Sequence, residues 1–192
     1  MRRILLSIIL VLSICVSFVF SACGTAYDDK EVLKIVTEWR DGMSRFGEAH
    51  TREFDFAEGI VTDTIVVREE YLQAEIDYYK ECPEQFGGFY ESVEQFEEEL
   101  YEIYNNPKAV TEFSEEQGNQ LLKSIIKSGF YTWKDSYETN KIIMDGGSES
   151  VTVYFADGTI KSTYIYFKYP KKYDKIREAF EVYLGATFYL GW

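Results

Sequence analysis

Val151-Thr152-Val153-Tyr154-Phe155, then Ala156-Asp157-Gly158, then Thr159 to Phe167 is the stretch that decides the fold. Two alternating runs flank an Asp-Gly pair, and glycine accepts the positive φ that tight hairpin turns demand, so the segment reads as a β-hairpin. Side chains alternate between faces along a strand, so a one-residue slip exchanges the buried and exposed sets. Placing Phe155 opposite Ile160 gathers Val151, Val153 and Phe155 on one face with Ile160 and Tyr164. The slipped register sets that face against Thr159, Lys161 and Thr163. The first buries more carbon and is the expected register.

The same device stands upstream. Arg52-Glu53-Phe54-Asp55-Phe56 alternates, Ala57-Glu58-Gly59 turns, and Ile60 to Val67 returns rich in β-branched residues, which predicts a second hairpin. Phe-Ala-Glu-Gly at 56–59 echoes Phe-Ala-Asp-Gly at 155–158. The segments between do not repeat, so convergent turn chemistry accounts for the echo better than duplication. Val32 to Glu38 alternates too and is read as a strand, although a short helix also fits.

Helices lie between and after the hairpins. Ser92-Val93-Glu94-Gln95 opens one as a capping box, with Val93, Phe96, Leu100, Ile103 and Tyr104 as its stripe and Asn105-Asn106-Pro107 as its stop. Ser114-Glu115-Glu116-Gln117 opens the next. Leu121, Leu122, Ile125 and Ile126 form its inner face and Gly129 ends it. A third runs from about Lys171 to Leu184, started by Pro170, with Tyr173, Ile176, Phe180 and Tyr183 turned inward and Gly185 at its end. Tyr71 to Lys80 either extends the first hairpin or begins a helix, and the apolar tail Phe188 to Trp192 is expected to pack on the body. With hairpins apart and no βαβ alternation, the expectation is an α+β domain: an antiparallel sheet built from two hairpins, with about three helices packed on one face.

The N-terminus gives an address. Arg2 and Arg3 precede Ile4 to Phe20, a run without charge, and small residues lead into Ser21-Ala22-Cys23-Gly24, the three-part build of an export signal. Phe20-Ser21-Ala22-Cys23 resembles the lipobox of bacterial lipoproteins, with Phe20 where leucine is usual. The resemblance implies a signal peptide over 1–22, a diacylglycerol (palmitate-type) attachment on Cys23, a lipidated tether over 23–30 and one extracytoplasmic domain over 31–192. Two acyl chains hold a protein on a bilayer far longer than one does, which places the body on the outer face of the plasma membrane, in the cell envelope. Read without the resemblance, Ile4 to Phe20 could be a retained helix, at the bottom of the length that spans a bilayer. Ser114 to Leu184 also resembles a small domain of uncharacterised exported lipoproteins of Gram-positive anaerobes. The resemblance rests on Ser-Gly-Phe-Tyr-Thr-Trp at 128–133, Asp145-Gly146-Gly147, the Phe-Ala-Asp-Gly turn and Tyr169-Pro170. It implies a fold and an address, and no activity.

Charge narrows the partners. The chain carries a formal −13, and loss of Arg2 and Arg3 with the leader takes it to −15. Nucleic acid, whose phosphates need Lys and Arg, is excluded as a partner, and the body is repelled from anionic lipid except through its anchor. Cys15 lies in the leader and Cys23 is the lipid site, so Cys82 alone remains in the body and no intramolecular disulfide forms there. It is read as a tolerated thiol, since nothing around it supplies a low-pKa setting.

Catalytic material is thin. Glu69 to Glu116 holds fifteen carboxylates against Lys80 and Lys108, and paired carboxylates can hydrolyse glycosides when one has a raised pKa. Glu94, Glu97, Glu98, Glu99 and Glu102 nonetheless lie on the outer arc of a helix and read as a solvated face. Asp145-Gly146-Gly147-Ser148-Glu149 lacks the spacing of a calcium loop. One histidine, His50, leaves little for zinc or a Ser-His-Asp triad. No metal, cofactor or catalytic residue is therefore assigned. Aromatics are the one excess, at 33 of 192 residues with 16 tyrosines. Core packing claims most; a tyrosine face formed by Tyr131, Trp133, Tyr137, Tyr164 and Tyr166 is the candidate surface for an envelope protein, peptide or glycan. The functional expectation is a non-catalytic binding or accessory module. Its alternative is a carboxylate-dependent, glycosidase-like hydrolase acting outside the membrane. At least Tyr131 or Trp133 should then be partly exposed; the rival reading has Phe130 and Trp133 seal the preceding helix against the sheet.

Overall fold

A computed structural model describes residues 30–42, 47–141, 143 and 146–187. The leader, Cys15, Cys23, Asp145 and the tail Phe188 to Trp192 lie outside the described residues. Among the described residues there are seven strands: β1 (Val32–Arg40), β2 (Ala49–Asp55), β3 (Ile60–Val66), β4 (Lys108–Glu112), β5 (Ser136–Glu138), β6 (Ser148–Phe155) and β7 (Ile160–Tyr166). They form one sheet in the order β4-β3-β2-β1-β6-β7-β5. All pairings are antiparallel except β5 on β7. The alternating segment at Val32 is thus the central strand, paired on both sides by the two predicted hairpins. The short strands β4 and β5 were not expected, and β5 makes the sheet mixed.

The late hairpin corrects the expected register. Tyr154, not Phe155, stands opposite Ile160, and Val153 and Val151 face Lys161 and Thr163. The turn is the cause. Phe155 N–H donates to the Thr159 carbonyl and Gly158 N–H to the Phe155 carbonyl, both at 3.0 Å, while Gly158 takes φ 81° and the Asp157 carboxylate accepts from Thr159 N–H at 2.9 Å. This three-residue loop with a left-handed glycine fixes the pairing of Phe155 with Thr159. Counting apolar carbon misled because it ignored Ile165, which this register buries to 1 %, while Ile160 is left 56 % exposed. Lys161 becomes a buried lysine, and the Asp135 carboxylate, 2.5 Å from its ammonium, offsets the cost.

The early hairpin turns differently despite its echo. Asp55 pairs with Ile60 across a four-residue loop, and the Asp55 carboxylate accepts from the N–H groups of Ala57 and Glu58. Gly59 sits so close to Phe113 that a Cβ would lie 2.6 Å from its carbonyl oxygen. Both glycines take positive φ, at 69° for Gly59 and 81° for Gly158, in loops of different length.

Among the described residues four α-helices are present: α1 (Glu69–Glu81), α2 (Val93–Ile103), α3 (Glu115–Ser128) and α4 (Tyr173–Leu184). α1 settles the ambiguous stretch after β3. Ser92 caps α2, Ser114 and Gln117 make the full capping box of α3, and Gly129 closes it in the left-handed conformation. The predicted stripes hold at their centres and fail at their margins. Leu121 and Ile125 are buried, whereas Ile126 is exposed on α3 and Ile103 on α2.

One face of the sheet carries Ile35, Phe54, Val61, Val151, Val153 and Ile165, all 1 % exposed or less. Each such side chain contributes about 1.5–3 kcal/mol relative to an exposed one. Phe180 of α4 meets Phe54 with ring centroids 4.5 Å apart, and α3 packs along α4. Ile76, Tyr79 and Phe96 of α1 and α2 build a cluster of their own, joined by Phe86 and Tyr90. Asn105 ties that pair of helices to the sheet, its N–H donating to Ile65 O and its side-chain amide bonding both the N–H and C=O of Val67. Cys82 is half-buried and free.

Candidate functional site

The five residues of the expected aromatic surface do not come together. After Gly129 the chain makes a single 3₁₀ turn (Phe130–Thr132) that carries its rings inward, leaving Phe130, Tyr131 and Trp133 only 2 %, 6 % and 5 % exposed. Trp133 stacks on Tyr173 at 6.0 Å and meets Phe130 at 4.8 Å, and Tyr131 meets Phe155 at 5.9 Å. The sealing role is therefore the observed one, and the expectation that Tyr131 or Trp133 is exposed is corrected. The rings after α3 extend its apolar cover, Tyr131 reaching Phe155 at the end of β6. Tyr137 is half-buried, its phenol oxygen accepting from Lys134 N–H at 3.1 Å. Tyr164, 40 % exposed, and half-buried Tyr166 belong to the opposite face of the sheet.

That opposite face is a better candidate, and most of it went unnamed in the sequence. Strand alternation and the observed registers place Lys34, Val36 and Glu38 of β1 beside Thr51 and Glu53 of β2, with Thr62 and Thr64 of β3 beyond. On the other side stand Ser150, Thr152 and Tyr154 of β6, then Ile160, Ser162 and Tyr164 of β7. None of these residues is buried. Its two cations are committed. Lys34 donates to both carboxylate oxygens of Glu53 at 3.1 Å and lies 5.5 Å from the centroid of Tyr154, while Arg40 donates to Glu38 at 2.7 Å. Between these pairs stand Val36 and a set of hydroxyls, Thr152 and Ser162 touching at 3.0 Å, flanked by the tyrosines. The signal that could have found it was present: Thr, Ser and Tyr at every second position, once the turn had fixed which set faces outward.

The carboxylate-rich segment offers no comparable convergence. Glu94, Glu98, Glu99 and Glu102 of α2 are exposed. A backbone N–H and the Ser92 side chain hold the Glu94 carboxyl below its ordinary value, and the Gln73 and Lys80 side chains do the same for Asp77. A general acid needs the opposite shift. Among the described residues no group of three or more His, Cys, Asp or Glu side chains is placed to hold a metal ion.

A second feature of the covered face is structural. Arg52, 5 % exposed, grips Asp63 with Nε to Oδ1 at 2.5 Å and an Nη2 to Oδ2 at 2.6 Å, and its other terminal nitrogen donates to Thr187 O at 2.6 Å. The guanidinium thereby ties β2, β3 and the chain after α4. Glu149 at the other side of the sheet accepts from the hydroxyls of Tyr169 and Tyr173, fixing the start of α4. No protein-family model matches this chain, nor does any curated protein or solved structure.

Proposed function

We propose that this protein is a lipid-anchored binding module of the cell envelope, held on the outer face of the plasma membrane through Cys23 and without catalytic activity of its own. Its open sheet face contacts a neutral glycan. The leader and its resemblance to lipoprotein signals support the address, and no helix among the described residues is long and apolar enough to cross a membrane. In this reading the helical cover is confined to one side of the sheet, which frees the other for a partner.

The observation that carries the reading is the composition of the open face. A sugar chain presents hydroxyls and apolar C–H faces without charge. The Ser and Thr hydroxyls of β2, β3, β6 and β7 match the first, and Tyr154 and Tyr164 match the second, because a tyrosine is part apolar and part wet. The Lys34–Glu53 and Arg40–Glu38 pairs commit the two cations of the face, and the chain's −13 disfavours anionic polymers. The carboxylates of α2 point outward, and Glu94 among them is held below its ordinary value, which supports binding over hydrolysis.

The test uses the full chain in detergent, sedimented with purified envelope glycan. Tyr154→Ala with Tyr164→Ala should weaken retention by about tenfold, as expected for loss of aromatic contacts worth roughly 1.4 kcal/mol together, with the melting temperature nearly unchanged. Undiminished retention refutes this face. Release of reducing sugar would restore the hydrolase. For the anchor, Cys23→Ala should abolish incorporation of labelled fatty acid, and unchanged labelling refutes lipidation.

A further inference from the structure

The chain has one histidine, and the binding role above leaves it unused. His50 lies on β2 opposite Trp39 of β1, the two rings 5.5 Å apart. Beside it β4 begins at Lys108, opposite Asp63 of β3, and Asn105 N–H donates to the Ile65 carbonyl at 2.8 Å. A cleft of about 360 Å³ opens there, its lining including His50, Asp63, Ile65, Ile103, Asn106 and Lys108.

Both oxygens of Asp63, the one carboxylate in that lining, are taken by Arg52. The Lys108 ammonium makes no ion pair, and the His50 ring no hydrogen bond, with any described residue. In a chain of −13, the cleft thus offers a cation and an imidazole beside the neutral Thr64 hydroxyl and Asn106 amide, and no uncommitted carboxylate. Ile65 and Ile103, the latter 49 % exposed, give it an apolar wall, and the Asn106 amide can both donate and accept. Pockets of this kind, mostly apolar with a few convergent polar groups, are where small ligands bind.

We propose that this cleft binds a carboxylate carrying a short aliphatic group. The carboxylate sits between the Lys108 ammonium and the imidazole, the aliphatic part lies on Ile65 and Ile103, and Asn106 is available to a ligand amide. A free aliphatic acid and the C-terminal residue of an apolar peptide share this chemistry.

The lone imidazole gives an unambiguous proton NMR signal in full-length protein purified without a histidine tag. Titrations with hexanoate, N-acetyl-leucine and neutral hexanamide should show saturable movement of that signal with one or both acids and none with the amide. Tighter binding of hexanoate identifies a free acid as the source, and tighter binding of N-acetyl-leucine a peptide end. Lys108→Met, at an exposed edge position, should weaken binding by about three- to fivefold, the loss of one exposed charge pair, and Ile103→Ser should weaken it independently. The inference is overturned if hexanamide moves the signal as hexanoate does, if neither acid moves it saturably, or if Lys108→Met binds as tightly as the parent. None of these results depends on the open sheet face.

Discussion

Trp133→Ala tests whether the aromatic turn after α3 seals the domain or serves a partner. The indole is 5 % exposed and lies between Phe130 and Tyr173, so truncation removes about 200 Å² of buried apolar surface, worth about 5 kcal/mol at roughly 25 cal/mol per Å². Partial collapse of Phe130 and Tyr173 into the gap recovers some of this, and about 3–5 kcal/mol is the expected loss. A domain of this size has only about 5–15 kcal/mol in total, so the variant should be marginal. Equilibrium urea unfolding followed by far-UV circular dichroism measures the difference. The native baseline should survive in buffer, the midpoint should fall sharply, and Tyr131→Ala, beside Phe155, should cost a similar amount. A loss below about 1 kcal/mol for Trp133→Ala would place the ring outside the core and refute the sealing role.

Three further outcomes follow from the geometry. Asp63→Asn should cost about 3–5 kcal/mol by leaving the Arg52 guanidinium buried without its counter-charge, whereas Arg52→Met with Asp63→Leu should recover much of that loss; equal losses in urea unfolding would contradict the buried-pair account. Thr152→Cys with Ser162→Cys should form a disulfide on mild oxidation, judged by mass spectrometry, because these residues face each other; efficient bridging of Thr152→Cys with Thr163→Cys instead would restore the register that sets Phe155 opposite Ile160. The Lys161 ammonium bonded to Asp135 holds that carboxyl below its ordinary value. The stability from this pair is therefore present above about pH 4, the unfolded value, and lost as pH falls through the lower folded value. Asp135→Asn should flatten that part of the acid unfolding curve, and an unchanged curve would refute the linkage.

Local signals in the sequence were strong enough to place both hairpins, the central strand, and the caps at Ser92, Ser114 and Gly129, because alternation and capping act within a few residues. What failed depended on distant partners. The register of β6 on β7 turned on a three-residue loop and on Ile165, not on the apolar count nearest the turn. Lys161 read as a surface lysine because its partner, Asp135, is far along the chain. Strand β5 consists of Ser136-Tyr137-Glu138, three residues without a pattern that become a strand only against β7. Tyr131 and Trp133 looked spare because the sequence does not reveal how much sheet α3 leaves uncovered. Most of the open face was not named from the sequence, and it became a surface only when five strands were set side by side.

The most direct test of the binding account is ring-proton NMR of selectively labelled tyrosine in the full chain, titrated with a neutral N-acetylglucosamine oligomer. Signals of Tyr154 and Tyr164, assigned through Tyr→Phe variants, should move saturably while those of Tyr131 and Tyr173, buried under the helices, stay in place. Movement of the buried set alone, or of no tyrosine at saturating oligomer, would contradict the claim that the open sheet face is where this protein meets its ligand.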